Sequence, residues 1–172
     1  MSLPEITVLD AAAAQAAIDE LCDVLVDCVE GGASVSFMLP FGRADAKKFF
    51  DRVIASVARD ETVLVAAKLD GRIVGSVQVG LDMPPNQPHR GDIKKLLVHR
   101  AARKHGLGAA LMQRAEAEAK ARGRSLLVLD TADDAAERLY VRAGWQRVGA
   151  VPDYAMWPQG GFCDTVFFWK RI

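Results

Sequence analysis

The sequence predicts an α/β domain in which a mixed, mostly antiparallel sheet of about seven strands is flanked by helices. Three observations point there. Short Val- and Ile-rich runs recur between segments whose apolar residues follow helical spacing. An Asp-Gly turn joins two of those runs as an antiparallel hairpin. A third run ends in a basic, glycine-containing turn that opens a long helix, as in a strand-to-helix unit.

Taken in order, Glu5 to Leu9 reads as a first strand. A helix follows, with Ile18, Leu21, Cys22, Leu25 and Val29 on one face, and Gly31 and Gly32 stop it. Ala33 to Arg43 reads as a largely apolar loop, and a second helix from about Ala44 buries Phe50, Val53, Ile54 and Val57. Thr62 to Lys68 and Ile73 to Leu81 flank Leu69-Asp70-Gly71-Arg72, whose Asp-Gly pair supplies the positive φ angles of a tight hairpin. Three prolines make Asp82 to Gly91 a loop, and Asp92 to Val98 is the next strand.

A long helix is expected from Gly108 to Arg122, with Glu116 paired to Lys120 and Glu118 to Arg122 on its wet side, ending at Gly123. Ser125 to Asp130 is apolar until its last residue, as a buried parallel strand would be. A short helix from Asp133 to Ala143 stops at Gly144. Trp145 to Val151 and Cys163 to Arg171 close the sheet, joined by a loop holding Tyr154 and Trp157. Residues 1–172 are expected to form one domain.

Composition narrows the function. Twenty-two basic residues balance twenty-two acidic ones, which argues against nucleic acid as a partner. The cluster Arg100, Arg103, Lys104, His105 therefore stands out from a neutral background. Three cysteines with no CxxC pair predict neither a disulfide framework nor a metal site. Met1 to Asp10 has no basic segment followed by an apolar core, and no apolar run approaches the ~20 residues of a membrane span. A cytoplasmic protein without membrane partners is the expectation.

The chemistry concentrates in Leu97 to Leu111, where a strand ends, a basic turn follows and Gly106 and Gly108 open a helix. Glycines let backbone approach an anion closely, and the free N–H groups of a helix N-terminus point outward with the positive end of its dipole. Arg103 and Lys104 add mobile positive charge, which makes the turn a pyrophosphate cradle. A dinucleotide-binding turn is the competing reading, with Asp130 ending the next strand. It is disfavoured because Leu111 holds the third glycine position, the turn lies mid-chain and an antiparallel hairpin precedes it.

Arg103-x-x-Gly106-x-Gly108 resembles the Q/R-x-x-G-x-G/A acyl-CoA loop of the GNAT superfamily of N-acetyltransferases. Asp133 to Trp145, with Ala136, Leu139-Tyr140 and Ala143-Gly144-Trp145, resembles that family's N-x-x-A-x-x-L-Y-x-x-x-G-F segment. The element order matches from end to end. The resemblance implies acetyl-CoA as co-substrate, no metal, and a small-molecule amine acceptor, and it leaves room for a homodimer.

Carried over, it implies that the backbone of Leu97 and Val98 pairs with the pantetheine arm as an added strand would. The amides of Lys104, His105, Gly106, Leu107, Gly108 and Ala109 would hold the pyrophosphate, and the Val98 N–H would stabilise the oxyanion. Tyr140 falls on the general acid that protonates the departing thiolate. Asp92, where many members carry Glu, and Asp130, an acid ending a buried strand, stand nearly level as base or amine binder. Asp133 departs from the usual Asn and is well placed to cap the following helix. Ser34, Phe37, Tyr154 and Trp157 would line the acceptor side.

A closer resemblance is to the tabtoxin-resistance acetyltransferases. It rests on Gly32-Ala33-Ser34-Val35, Lys95-Leu96-Leu97-Val98, Leu129-Asp130-Thr131, Arg147-Val148-Gly149 and Pro152-Asp153-Tyr154. It implies an amino-acid-like or antibiotic-like acceptor and direct transfer in a ternary complex. Cysteine ping-pong catalysis is disfavoured because no thiol falls in either motif. An acyl-CoA sensor without turnover is the rival from another class, and Tyr140 argues against it.

Overall fold

A computed structural model describes residues 4–172. Seven strands form one sheet: β1 (Glu5–Leu9), β2 (Thr62–Leu69), β3 (Arg72–Gly80), β4 (Arg90–Val98), β5 (Leu126–Thr131), β6 (Gln146–Met156) and β7 (Phe162–Arg171). Their spatial order is β1-β2-β3-β4-β5-β7-β6. Neighbours run antiparallel except β4 and β5, which are parallel. The helices are α1 (Ala11–Ala16), α2 (Ile18–Glu30), α3 (Arg43–Ala58), α4 (Leu107–Ala121) and α5 (Asp134–Arg142), with a 3-10 turn over Arg100–Ala102.

Strand alternation divides the core in two. On one face Leu64, Ala66 and Leu97 pack under α2 and α3 with Leu21, Leu25 and Phe50. On the other, Val65, Val77, Val79, Leu127 and Phe168 pack under α4 and α5 with Leu111, Met112 and Tyr140. The β2–β3 hairpin turns as expected, with Asp70 at φ 49° and Gly71 at φ 80°. Both angles lie in the left-handed region that the Asp-Gly pair tolerates.

Several boundaries differ from the sequence reading. The first helical stretch is two helices, because the chain breaks at Ala17, whose φ of −101° and ψ of 13° leave the helical basin. Trp145 precedes β6 and lies buried at 3 % exposure. β6 runs on to Met156, so Tyr154 belongs to a strand rather than a loop. The Glu118–Arg122 pair forms, and Glu118 also takes Arg114 at 2.8 Å. Glu116 does not meet Lys120. It turns inward to Lys170 Nζ at 2.6 Å and to the Trp145 indole at 2.8 Å, since α4 lies against the sheet where β7 ends.

The parallel pair positions the site. β4 and β5 are in register only where Arg90, Gly91 and Asp92 face Leu126, Leu127 and Val128. Beyond Asp92 the strands part, and the C-terminal ends of both stand on either side of an open break. Among the described residues no helix is long and apolar enough to cross a membrane.

Candidate active site

His99 N–H donates to the Val74 carbonyl at 2.8 Å, and Val98 is the next position, in register with Gly75. An antiparallel ladder alternates, so the Val98 N–H and C=O turn away from β3 toward the break. The Val98 carbonyl there accepts from Arg103 Nε at 3.2 Å and from the Cys28 thiol at 3.6 Å. Burial pushes the Cys28 thiol up, which keeps it protonated as a donor. The three cysteines are free and buried.

The turn after β4 builds the N-terminal end of α4. Gly106 is the N-cap at φ 72°, a left-handed angle that glycine adopts without strain, and a Cβ there would meet open space. Lys104 also has a positive φ of 71°. Arg103, Lys104, His105, Gly106 and Ala109 are exposed, whereas Leu107 is buried and anchors the helix in the core. Gly108 serves packing: a Cβ there would sit 3.0 Å from Leu139 Cδ1 of α5.

Arg100 is tied to α2 through its backbone N–H and Nε. Asp27 accepts from its backbone N–H at 2.7 Å and from its Nε at 2.9 Å. Burial pushes the Asp27 carboxyl up, but the hydrogen bonds from Arg100 and the nearby His99 outweigh it and hold the group below its ordinary value.

On the α2–α3 face, a cavity of about 290 Å³ opens beside the end of β5. One wall is Ser34, Ser36, Phe37 and Met38 from the loop after α2; a second is Asp130, Thr131 and Ala132. Tyr154, Ala155 and Met156 of β6 with Asp164 and Thr165 of β7 close the third. The Asp130 carboxylate accepts from Thr165 Oγ1 at 2.8 Å. Ser34 lies 3.4 Å from Cys163 Sγ, tying the loop to β7. Two carboxylates, Asp130 and Asp164, line this space and suit an ammonium group, with the Lys95 ammonium held behind the Ser36 wall.

The structure thus brings together Asp130, Ser34, Phe37 and Tyr154, and separates Asp92 and Trp157 from them. Asp92 belongs to the last β4–β5 pair, opposite Val128, and its carboxylate is paired with Arg90. Trp157 shapes the β6–β7 turn, its N–H donating to Gly161 O at 2.9 Å. Asp133 caps α5 through its carboxylate, which accepts from Ala135 N at 2.7 Å. Thr165 and Asp164 were missed; the alternation of β7 carries a weak signal, since both sit where an apolar strand turns polar.

Tyr140 lies on α5 across the sheet, 5 % exposed, with its ring against Trp145 and Phe168 at 6.1 and 5.7 Å between centroids. Burial, aided by Asp133 and Asp130, pushes its phenol well above the ordinary value of 10.0. The group therefore stays protonated throughout the neutral range. Among the described residues no group of three or more His, Cys, Asp or Glu is arranged to hold a metal ion.

Comparisons with known proteins agree with this architecture. The family model described as the Acetyltransferase (GNAT) family matches residues 19–145. An uncharacterised N-acetyltransferase of the hisH-hisA intergenic region in Azospirillum brasilense is 29 % identical over 152 residues, covering 86 % of this chain and 89 % of that one. Among solved structures, yncA of Salmonella typhimurium, determined with its cofactor acetyl-CoA, superposes with a TM-score of 0.79 at 18 % identity, over 99 % of this chain and 94 % of that one. A phosphinothricin acetyltransferase from Sinorhizobium meliloti, in complex with acetyl-CoA, gives 0.80 at 15 % identity, over 99 % and 89 %. At these identities the superpositions speak for the fold alone.

Proposed function

The chain belongs to the GNAT family of acetyltransferases, and from that premise we propose that it transfers an acetyl group from acetyl-CoA to the amine of a small amino-acid-like or antibiotic-like molecule, by direct attack in a ternary complex. One observation carries the reading. The Val98 N–H on β4 and the cavity holding Asp130 on β5 both lie beyond the last β4–β5 pair, on the same break in the sheet.

Residues 97–109 fit acetyl-CoA. Val98 offers strand edge beside the buried Leu97, and the amides from Lys104 to Ala109 surround a left-handed Gly106 where a Cβ would meet open space. Arg103, Lys104 and His105 bring positive charge to the pyrophosphate. Acetyl-CoA supplies the acetyl group as an activated thioester.

Asp130 holds the acceptor's ammonium and takes its proton, with Thr165 orienting the carboxylate. Ser34, Phe37 and Tyr154 enclose the acceptor from two walls. The Val98 N–H donates to the oxygen on which charge develops. Tyr140 gives its proton to the departing thiolate, which leaves without a covalent link to the protein. Asp92 ranks behind Asp130 because Arg90 already occupies it and the strands are still joined at its level. The test is CoA release measured with acetyl-CoA and a panel of small amines. Turnover with at least one amine supports the reading, and none across the panel would sink it.

A further inference from the structure

The acceptor wall formed by Ser36 and Phe37 is attached to β4 at one unusual point. Between the pairs Ser76 with Leu97 and Gln78 with Lys94, β3 advances two residues while β4 advances three. β4 therefore carries a bulge, and Lys95, at φ 54°, sits in it. Ser36, which meets it, has a φ of 81°. Two non-glycine residues in left-handed backbone thus face each other, and such outliers persist only where surrounding contacts hold them.

The contact is specific. Lys95 Nζ donates to Ser36 Oγ at 2.8 Å and stands 5.9 Å from the centre of the Phe37 ring. Asp130 across the break attracts the ammonium, and Lys94 beside it repels it. Burial lowers the Lys95 pKa, against the raising effect of Asp130. Ser36 and Phe37 both line the cavity, so Lys95 holds a wall that it does not itself form.

We propose that Lys95 is a positioning residue: its ammonium clasps Ser36 and Phe37 to the bulge of β4 and so sets how tightly the acceptor is held. The proposal rests on the cavity's being the acceptor site. The bulge frees Lys95 from the alternation that Ile93 sets, which would otherwise turn it toward the α4 face. The ties from Ser34 to Cys163 and from Leu39 N–H to Pro158 O at 2.9 Å anchor the loop to β7 and the β6–β7 turn. Lys95 anchors it to β4, the strand whose far end carries Val98.

The experiment compares wild type, K95M, K95R, S36A and the K95M/S36A double variant in steady-state kinetics and in amide hydrogen exchange of residues 34–42. K95M is expected to raise the acceptor KM about fivefold, the worth of one hydrogen bond of ordinary strength, with the acetyl-CoA KM within about twofold of wild type. Exchange over residues 34–42 should quicken. K95R, which keeps a donor and a cation, should recover most of the loss. S36A should act in the same direction, and the double variant should be no worse than K95M, because both remove one contact.

Unchanged acceptor KM and unchanged exchange in K95M would overturn the proposal, as would fully additive effects in the double variant. Should K95M fail to fold, S36A against K95R decides by the same two readouts. If the wild type turns over no amine at all, it is the acetyltransferase reading that fails. The exchange data then still decide the clasp.

Discussion

The indole N–H of Trp145 donates to Glu116 Oε1 at 2.8 Å, while the other oxygen of that carboxylate takes Lys170 Nζ at 2.6 Å. Lys170 also donates to the Ala143 carbonyl at 2.7 Å, at the C-terminal end of α5. One carboxylate of α4 thus ties β7, the end of α5 and the ring that packs on Tyr140.

Removing that carboxylate should loosen α5. Glu116→Gln leaves a half-buried ammonium without its counter-charge and is expected to cost about 2 kcal/mol, the scale of hydrogen bonds to charged groups. Denaturant unfolding of the variant checks it, and a loss below about 0.5 kcal/mol would show that the network is solvated.

Tyr140→Phe keeps the ring but removes the phenol O–H, the proposed proton donor. Acetyl-CoA affinity should survive while kcat falls ~10²-fold or more, because the thiolate develops only in the transition state. A variant within about twofold of wild type, with chemistry rate-limiting, would leave Tyr140 as packing alone.

The same residue sets an alkaline limit on stability. Its folded pKa is raised above the ordinary 10.0, so its contribution is fully present below that value and is lost as the pH climbs past it. Unfolding measured from pH 9 to 11 should show a decline in wild type that is shallower in Tyr140→Phe.

The two carboxylates should separate kinetically. Asp130→Asn is expected to lose rate at neutral pH and recover at high pH, where more acceptor is already neutral. Asp92→Asn, whose carboxylate is already taken by Arg90, should stay near wild type. Loss in Asp92→Asn with none in Asp130→Asn would exchange their roles.

Gly106→Val forces a branched side chain into φ 72° and should weaken acetyl-CoA binding more than tenfold, about 1.4 kcal/mol or more. Gly108→Val reaches the same result by another route, pressing Leu139 and with it α5. Calorimetry on folded variants measures both.

What was legible in the sequence was local. The Asp70–Gly71 hairpin and the caps at Gly106 and Asp133 depend on a few neighbouring residues, and these were readable. The inward turn of Glu116 was not, because its partner Lys170 lies fifty-four residues away and only packing of α4 on β7 brings them together. The bulge at Lys95 was equally hidden, since an extra residue in a strand shows only against its neighbour's register. The choice between Asp92 and Asp130 needed the point at which β4 and β5 part, a property of the whole sheet.

The short parallel junction has a thermodynamic consequence. Three residue pairs join β1–β4 to β5–β7, and the strand edges beyond them are left to water. A co-substrate that pairs with the exposed edge of β4 binds the folded chain and has nothing equivalent to grip in the unfolded one. By mass action a hundredfold excess over its dissociation constant adds about 2.7 kcal/mol to unfolding. The melting temperature is therefore expected to rise with acetyl-CoA concentration, which a thermal scan across concentrations measures.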